Sequence, residues 1–255
     1  PAELGTYEAM LRYYSHQIAP TPESATMCFS ALQGATEREP EFGPVWSALA
    51  TLHCQMYVFD VPGFDDALET ALEFSRRGVG LEPSSQLAHL ILAYSSVLAD
   101  DSKSFHDEAR TTLELNPNSP YAVGAIGYCH ILRGELDPGL PLLDRAIAMN
   151  PFHPTWFHAG HVIDHLLRND YGCALEETRK QLPFIDFWND AMLTAMLGKL
   201  GRADEAGPHI ERITAQKPEF PGRARELFRR SLKIDPLIAR LIEGLRAAGM
   251  RISCR

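Results

Sequence analysis

The feature that most constrains this chain is a proline that returns at nearly even intervals, at Pro40, Pro83, Pro117, Pro151, Pro183 and Pro218. The gaps are 43, 34, 34, 32 and 35 residues, and most of these prolines follow an acidic or polar residue. Proline stops a helix because it has no N–H to donate and its ring clashes with the preceding turn. Each interval has room for two helices and their turns. Two amphipathic helices cannot hide their apolar faces alone, so such pairs have to stack on one another.

The residues at fixed offsets from each proline support the stack. Six residues on stand Trp46, His89, Val123 and Phe157, and nine on stand Leu49, Leu92 and Ile126. Ten on come the small residues Ala50, Ala93 and Gly127, while Ala71, Gly139 and Ala206 lie twelve before the next proline. Large beside small is what closely packed helices require. Within the intervals, RGELD and LGRADEA place a glycine after one helix and an acid before the next. The longer 43-residue gap absorbs its extra residues in MYVFDVPGFDD, a loop by its Pro62 and Gly63.

These signals predict an all-α chain with helices at 4–18, 24–38, 44–57, 65–80, 86–99, 104–115, 120–133, 137–149, 154–168, 171–182, 188–200, 203–216, 222–232 and 236–248. The expected architecture is a single right-handed α-solenoid of about six helix pairs, bounded at 1–40, 41–83, 84–117, 118–151, 152–183 and 184–218. Residues 219–255 form a C-terminal cap.

Composition narrows the function classes. Apolar residues make up 45% of the chain and no stretch is long enough to span a membrane. The 33 acidic and 24 basic side chains give a net charge of −9 with no basic cluster to neutralise phosphates, which argues against nucleic-acid binding. The five cysteines (Cys28, Cys54, Cys129, Cys173, Cys254) are scattered without a C-x-x-C pair and read as reduced thiols in a cytoplasmic setting. The chain opens on Pro1 without an initiator methionine or a signal segment, so a place within a longer protein is expected.

The spacing is that of tetratricopeptide repeats. The segments NPNSPYAVGAIGYCHILRGELDPGLPLLDRAIAMNPFHPTWFH, DHLLRNDYGCALEE, LGKLGRADEA and LIEGLRAAGM further resemble the C-terminal repeat arrays of bacterial signalling proteins. In those proteins the array follows an adenylate/guanylate cyclase domain or a winged-helix DNA-binding domain. Neither output domain is encoded here. The resemblance implies a regulatory or assembly role.

In such a stack the first helix of each pair lines a groove at offsets of about four, seven, eleven and fourteen from the proline. The partner-binding set expected there is Leu90, Tyr94, Tyr121, Tyr128, His158, His165 and Trp188. Its aromatic character suits an apolar peptide or helix from a protein partner, an upstream domain or a second copy. The alternative use of the same stripe is plain core filling. Thr51, Tyr94, Tyr128 and Val162 stand where a carboxylate clamp would need Asn, Lys and Arg, so a co-chaperone role is not expected.

One cluster invites a second reading. HPTWFHAGHVIDHLL carries His153, His158, His161 and His165, and the i,i+4 spacing of His161 and His165 is one at which two imidazoles can share a metal. A ligand or metal sensor centred on His158, His161 and His165 is therefore the alternative function. It lacks an evident third ligand, and no metal or other cofactor is assigned. His161 stands at an offset where other units have a small residue, which implies either a helix kink or a one-residue register change. Phosphate-loop, nucleophile-elbow and dinucleotide motifs are missing from the sequence, and Cys173 lies among acids that oppose thiolate formation. No enzyme activity is expected.

Overall fold

A computed structural model of the chain describes residues 4–19, 21–180 and 187–253. Fourteen α-helices and no strands occur among the described residues. The helices divide between two compact units, Pro1–Asn118 and Ser119–Arg255. The fold is all-α, of the helical-solenoid class.

The first unit holds α1 (Leu4–Ile18), α2 (Pro22–Arg38), α3 (Gly43–Phe59), α4 (Ala67–Leu81), α5 (Gln86–Leu98) and α6 (Ser102–Leu115). They pack as the hairpins α1/α2, α3/α4 and α5/α6, joined through α2/α3 and α4/α5. Its core is the prolonged contact of small and branched residues: Ala9, Cys28, Leu32, Ala35, Val45, Ala48, Leu49 and Leu52 are all buried together. Two hydrogen bonds fix how α1 and α3 lie side by side. Tyr13 Oη donates to Thr51 Oγ1 at 3.2 Å and Gln55 Nε2 to Gln17 Oε1 at 3.3 Å, both across a separation of 38 residues.

The second unit contains α7 (Pro120–Leu132), α8 (Leu136–Met149), α9 (His158–Leu167), α10 (Tyr171–Thr178), α11 (Phe187–Lys199), α12 (Gly207–Gln216), α13 (Phe220–Ser231) and α14 (Asp235–Ala247). Short 3-10 turns at Thr155–Phe157 and Ala203–Glu205 take the first residues of two segments expected to be wholly α-helical. Gly127 and Gly139 let α7 and α8 touch backbone to backbone: a methyl on Gly127 would stand 2.8 Å from the Gly139 carbonyl oxygen. The small-residue offsets read from the sequence thus meet at the crossing of one pair.

Local chemistry sets the helix ends. Ser85 and Ser119, each two residues past a repeat proline, accept from the N–H of Ala88 and Ala122. The turn between the helices of a pair needs a left-handed residue; Gly134 and Gly201 supply it, and so do Asp60, Asp100 and Asn169, where no glycine marks the spot.

The last two helices cover more than the end of the stack. The α14 helix packs along α11, where a methyl on Gly198 would fall 2.7 Å from the Ala248 nitrogen and one on Gly244 2.9 Å from the Ala195 carbonyl carbon. The loop before α14 reaches back: Lys233 N–H donates to the Leu132 carbonyl at the end of α7. Arg240 Nη1 donates to the carbonyls of Leu166 and Leu167 at the end of α9, the latter at 2.7 Å. Those carbonyls are among the last four of α9, which have no partner inside the helix, and the guanidinium also opposes the negative end of the helix dipole.

Candidate functional site

The first unit leaves little of the expected groove open. Ser47, Thr51 and Cys54 are buried between helices, as are Leu90 and Val97, and Tyr94 is half-buried. Leu90 is 3% exposed and so supports the wall from inside. Cys28 and Cys54 are core thiols, and burial pushes their pKa up to about 11 and about 12.

The second unit gathers aromatic rings at its surface. Tyr121 and Tyr128 are seven apart on α7 and so share a face. Trp156, in the 3-10 turn before α9, lies edge-on to both, with ring centroids 6.2 Å from Tyr121 and 5.3 Å from Tyr128. Tyr121 is 46% exposed; Tyr128 and Trp156 are half-buried. Burial raises the Tyr128 phenol, so its hydroxyl stays a neutral hydrogen-bonding group at ordinary pH.

Gly124 is the residue that makes this arrangement possible. It sits between the two tyrosines, and the Phe157 ring occupies the space a side chain there would fill. Phe157 is fully buried and contacts Trp156 in a T-shaped pair at 4.5 Å. Anchoring one ring of the Trp156-Phe157 dipeptide in the core therefore holds the other against the tyrosines. Gly124 stands seven residues after Pro117, one of the groove offsets, whereas Trp156 falls between the offsets counted from Pro151. The signal for Trp156 was available in its neighbour Phe157, which occupies the bulky offset of the repeat.

The other expected groove residues lie elsewhere. Trp188 belongs to an aromatic cluster of the C-terminal helices, stacked on Phe187 at 5.7 Å and edge-on to Phe228 at 5.4 Å. His158 Nδ1 is 2.6 Å from Glu177 Oε1 on α10, and its Nε2 is 3.2 Å from His153 Nε2. Burial alone would raise the Glu177 carboxyl, but Lys180 and His158 outweigh it and hold the group low. His165 Nδ1 lies 3.7 Å from Asp170, whose other oxygen caps α10 by accepting the Cys173 N–H.

These placements correct the sensor alternative. His161 Nε2 faces Asp144 on α8 at 3.2 Å, so His158, His161 and His165 each turn toward a different acid, Glu177, Asp144 and Asp170, and do not converge on one point. Gly160, one residue earlier, is buried against Leu143 and Ile131 of the preceding pair, and the His161 ring reaches Asp144 of α8 in that same pair. The expected rise of the Cys173 thiol pKa is found, caused first by its bond with Asp170 and then by that carboxylate's charge.

No protein-family model and no curated protein matches the chain. Solved structures do. The crystal structure of the APC/C hetero-tetramer Cut9–Hcn1 aligns with a TM-score of 0.57 at 13% identity, over 94% of this chain and 52% of that one. This chain thus spans about half the length of the Cut9–Hcn1 chain it matches. PilW, a type IV pilus biogenesis factor, aligns with a TM-score of 0.55 at 16% identity, over 85% of this chain and 93% of that one. A tetratricopeptide repeat protein from Parabacteroides merdae covers 96% of this chain and 99% of its own at 13% identity, with a TM-score of 0.49. The all-α helical fold is thus shared with the Cut9–Hcn1 and PilW structures. No helix among the described residues is long and apolar enough to cross a membrane.

Proposed function

We propose that this chain is a non-catalytic protein-binding module that captures an apolar or amphipathic peptide segment on the patch formed by Tyr121, Tyr128 and Trp156. The observation that carries this is the geometry of the patch: three partly accessible rings, with Trp156 lying 6.2 Å from Tyr121 and 5.3 Å from Tyr128 and held there by a buried phenylalanine against a glycine. Rigid aromatic side chains offer large contact area at low entropic cost, which is why they dominate the energetics of recognition surfaces. The net charge of −9 favours a segment without an acidic excess. Cut9–Hcn1, of like fold, is itself a hetero-tetramer. The resemblance of the repeat segments to the arrays of bacterial cyclases and winged-helix regulators favours a regulatory role within a cytoplasmic signalling protein.

Selection of peptides from a random library on the intact chain tests the proposal. Enriched peptides should be rich in Leu, Ile, Phe or Trp, and their affinity should fall at least about 10-fold in Trp156→Ala and Tyr128→Ala. Peptides that bind both variants as tightly as the parent would refute the patch.

A further inference from the structure

The first helix carries a second surface that the patch does not involve. Thr6, Ala9, Met10, Tyr13 and His16 of α1 face the core, and on the opposite side Tyr7, Leu11, Tyr14 and Ile18 are 63, 47, 49 and 81% exposed. Their spacing of four, three and four residues keeps them within one narrow arc of the helix. The remaining exposed large hydrophobics among the described residues form no such stripe on a single helix.

The repeat itself says what this face is for. The bonds Tyr13 to Thr51 and Gln55 to Gln17 align α1 with α3 at a shift of 38 residues. At that shift Tyr7, Leu11, Tyr14 and Ile18 correspond to Val45, Leu49, Leu52 and Met56. Those four are packed into the core shared with Cys28, Leu32 and Ala35 of α2. The face that α2 covers on α3 is open on α1, so its natural occupant is another amphipathic helix.

We propose that this occupant is the α1 helix of a second copy, paired antiparallel about a two-fold axis. The 4-3-4 spacing reads the same in both directions, so Tyr7 of one copy meets Ile18 of the other and Leu11 meets Tyr14. The charged neighbours Glu8 and Arg12 are already paired with each other at 2.6 Å and bring no net repulsion. The area also fits. The four exposures amount to roughly 450 Å² of apolar surface, close to the apolar share of the about 800 Å² that each partner buries in a standard interface. A two-fold contact of this kind closes on itself and yields a dimer, not a filament.

Sedimentation of the tag-free chain over low to high micromolar concentration should show twice the 28.4 kDa mass. Leu11→Arg should weaken association by about 100-fold or more with an unchanged helical spectrum, whereas Leu200→Arg, off the stripe, should leave it intact. In a background lacking Cys173 and Cys254, Tyr7→Cys mixed with Ile18→Cys should cross-link, and Ile18→Cys alone should not. A chain monomeric throughout, a dimer that survives Leu11→Arg, or efficient cross-linking of Ile18→Cys to itself would each overturn the proposal.

Discussion

Replacing Gly244 by alanine sets two effects of known sign against each other. Alanine gains about 1 kcal/mol over glycine in a helix interior. Against this, a methyl on Gly244 would stand 2.9 Å from the Ala195 carbonyl carbon and 3.0 Å from its Cα. These are backbone atoms of α11 that no rotamer change can move. Restoring ordinary contact requires the helices to part by roughly 0.5–1 Å, a gap that forfeits a quarter to a half of each facing dispersion contact. Leu237, Leu241 and Leu245 of α14 are all buried, so the helix has a packed apolar face for such a shift to disturb. Overpacking of this type costs about 3 kcal/mol at the upper end of its usual range. The net effect is a destabilisation of about 2 kcal/mol, or roughly 4–8 °C in Tm for a chain of this size. Gly80→Ala is the control, since a methyl there meets nothing within 4 Å; it should stabilise by about 0.5–1 kcal/mol. Urea unfolding and amide exchange of α14 read both. A Gly244→Ala protein as stable as the parent would refute the backbone-contact account of how α14 is held.

His53 is buried among the rings of Phe29, Phe64 and Phe74, and burial lowers its pKa below 6.5. Its Nδ1 has no partner among the described residues. Below that pH the unfolded chain takes up a proton that the folded ring refuses, so stability should fall as pH drops through the window just under 6.5. His53→Phe should flatten that slope in urea melts taken between neutral pH and pH 5. Asp190 of α11, buried, accepts from Arg212 at 2.7 and 2.9 Å and faces His209 at 2.7 Å on α12. Burial favours its neutral form, but those two partners prevail and depress its pKa. The stability it supplies is complete above the ordinary carboxylate pKa and disappears as pH falls through the lowered one. Asp190→Ala should cost about 2–3 kcal/mol by thermal melting, less than for a wholly buried pair because Arg212 is half exposed.

Much of this fold could be read from local pattern. Repeat prolines, small residues at fixed offsets and Gly134 and Gly201 locate helices because each acts within one pair, through termination or close crossing. What escaped was non-local or depended on exceptions. Asp100 and Asn169 take left-handed turns that glycine would have advertised. The return of α14 onto α11 depends on Gly198 meeting Gly244, two residues that nothing in their local pattern connects. The patch was half legible: the face shared by Tyr121 and Tyr128 follows from helical spacing, but Trp156 joins them through the 3-10 turn and Phe157. Trp188 looked equivalent by position, yet Phe228 from α13 lies against it.

The three tryptophans offer a direct test of the binding account, since each indole N–H gives its own NMR signal. Trp46 is buried, with its indole N–H donating to the Pro40 carbonyl at 2.8 Å and Arg77 over its ring. Trp188 is packed on Phe187 and Phe228. On titration with a selected apolar peptide, the Trp156 signal should shift progressively to saturation while that of Trp46 stays in place. Saturable binding that leaves Trp156 unmoved would contradict the account.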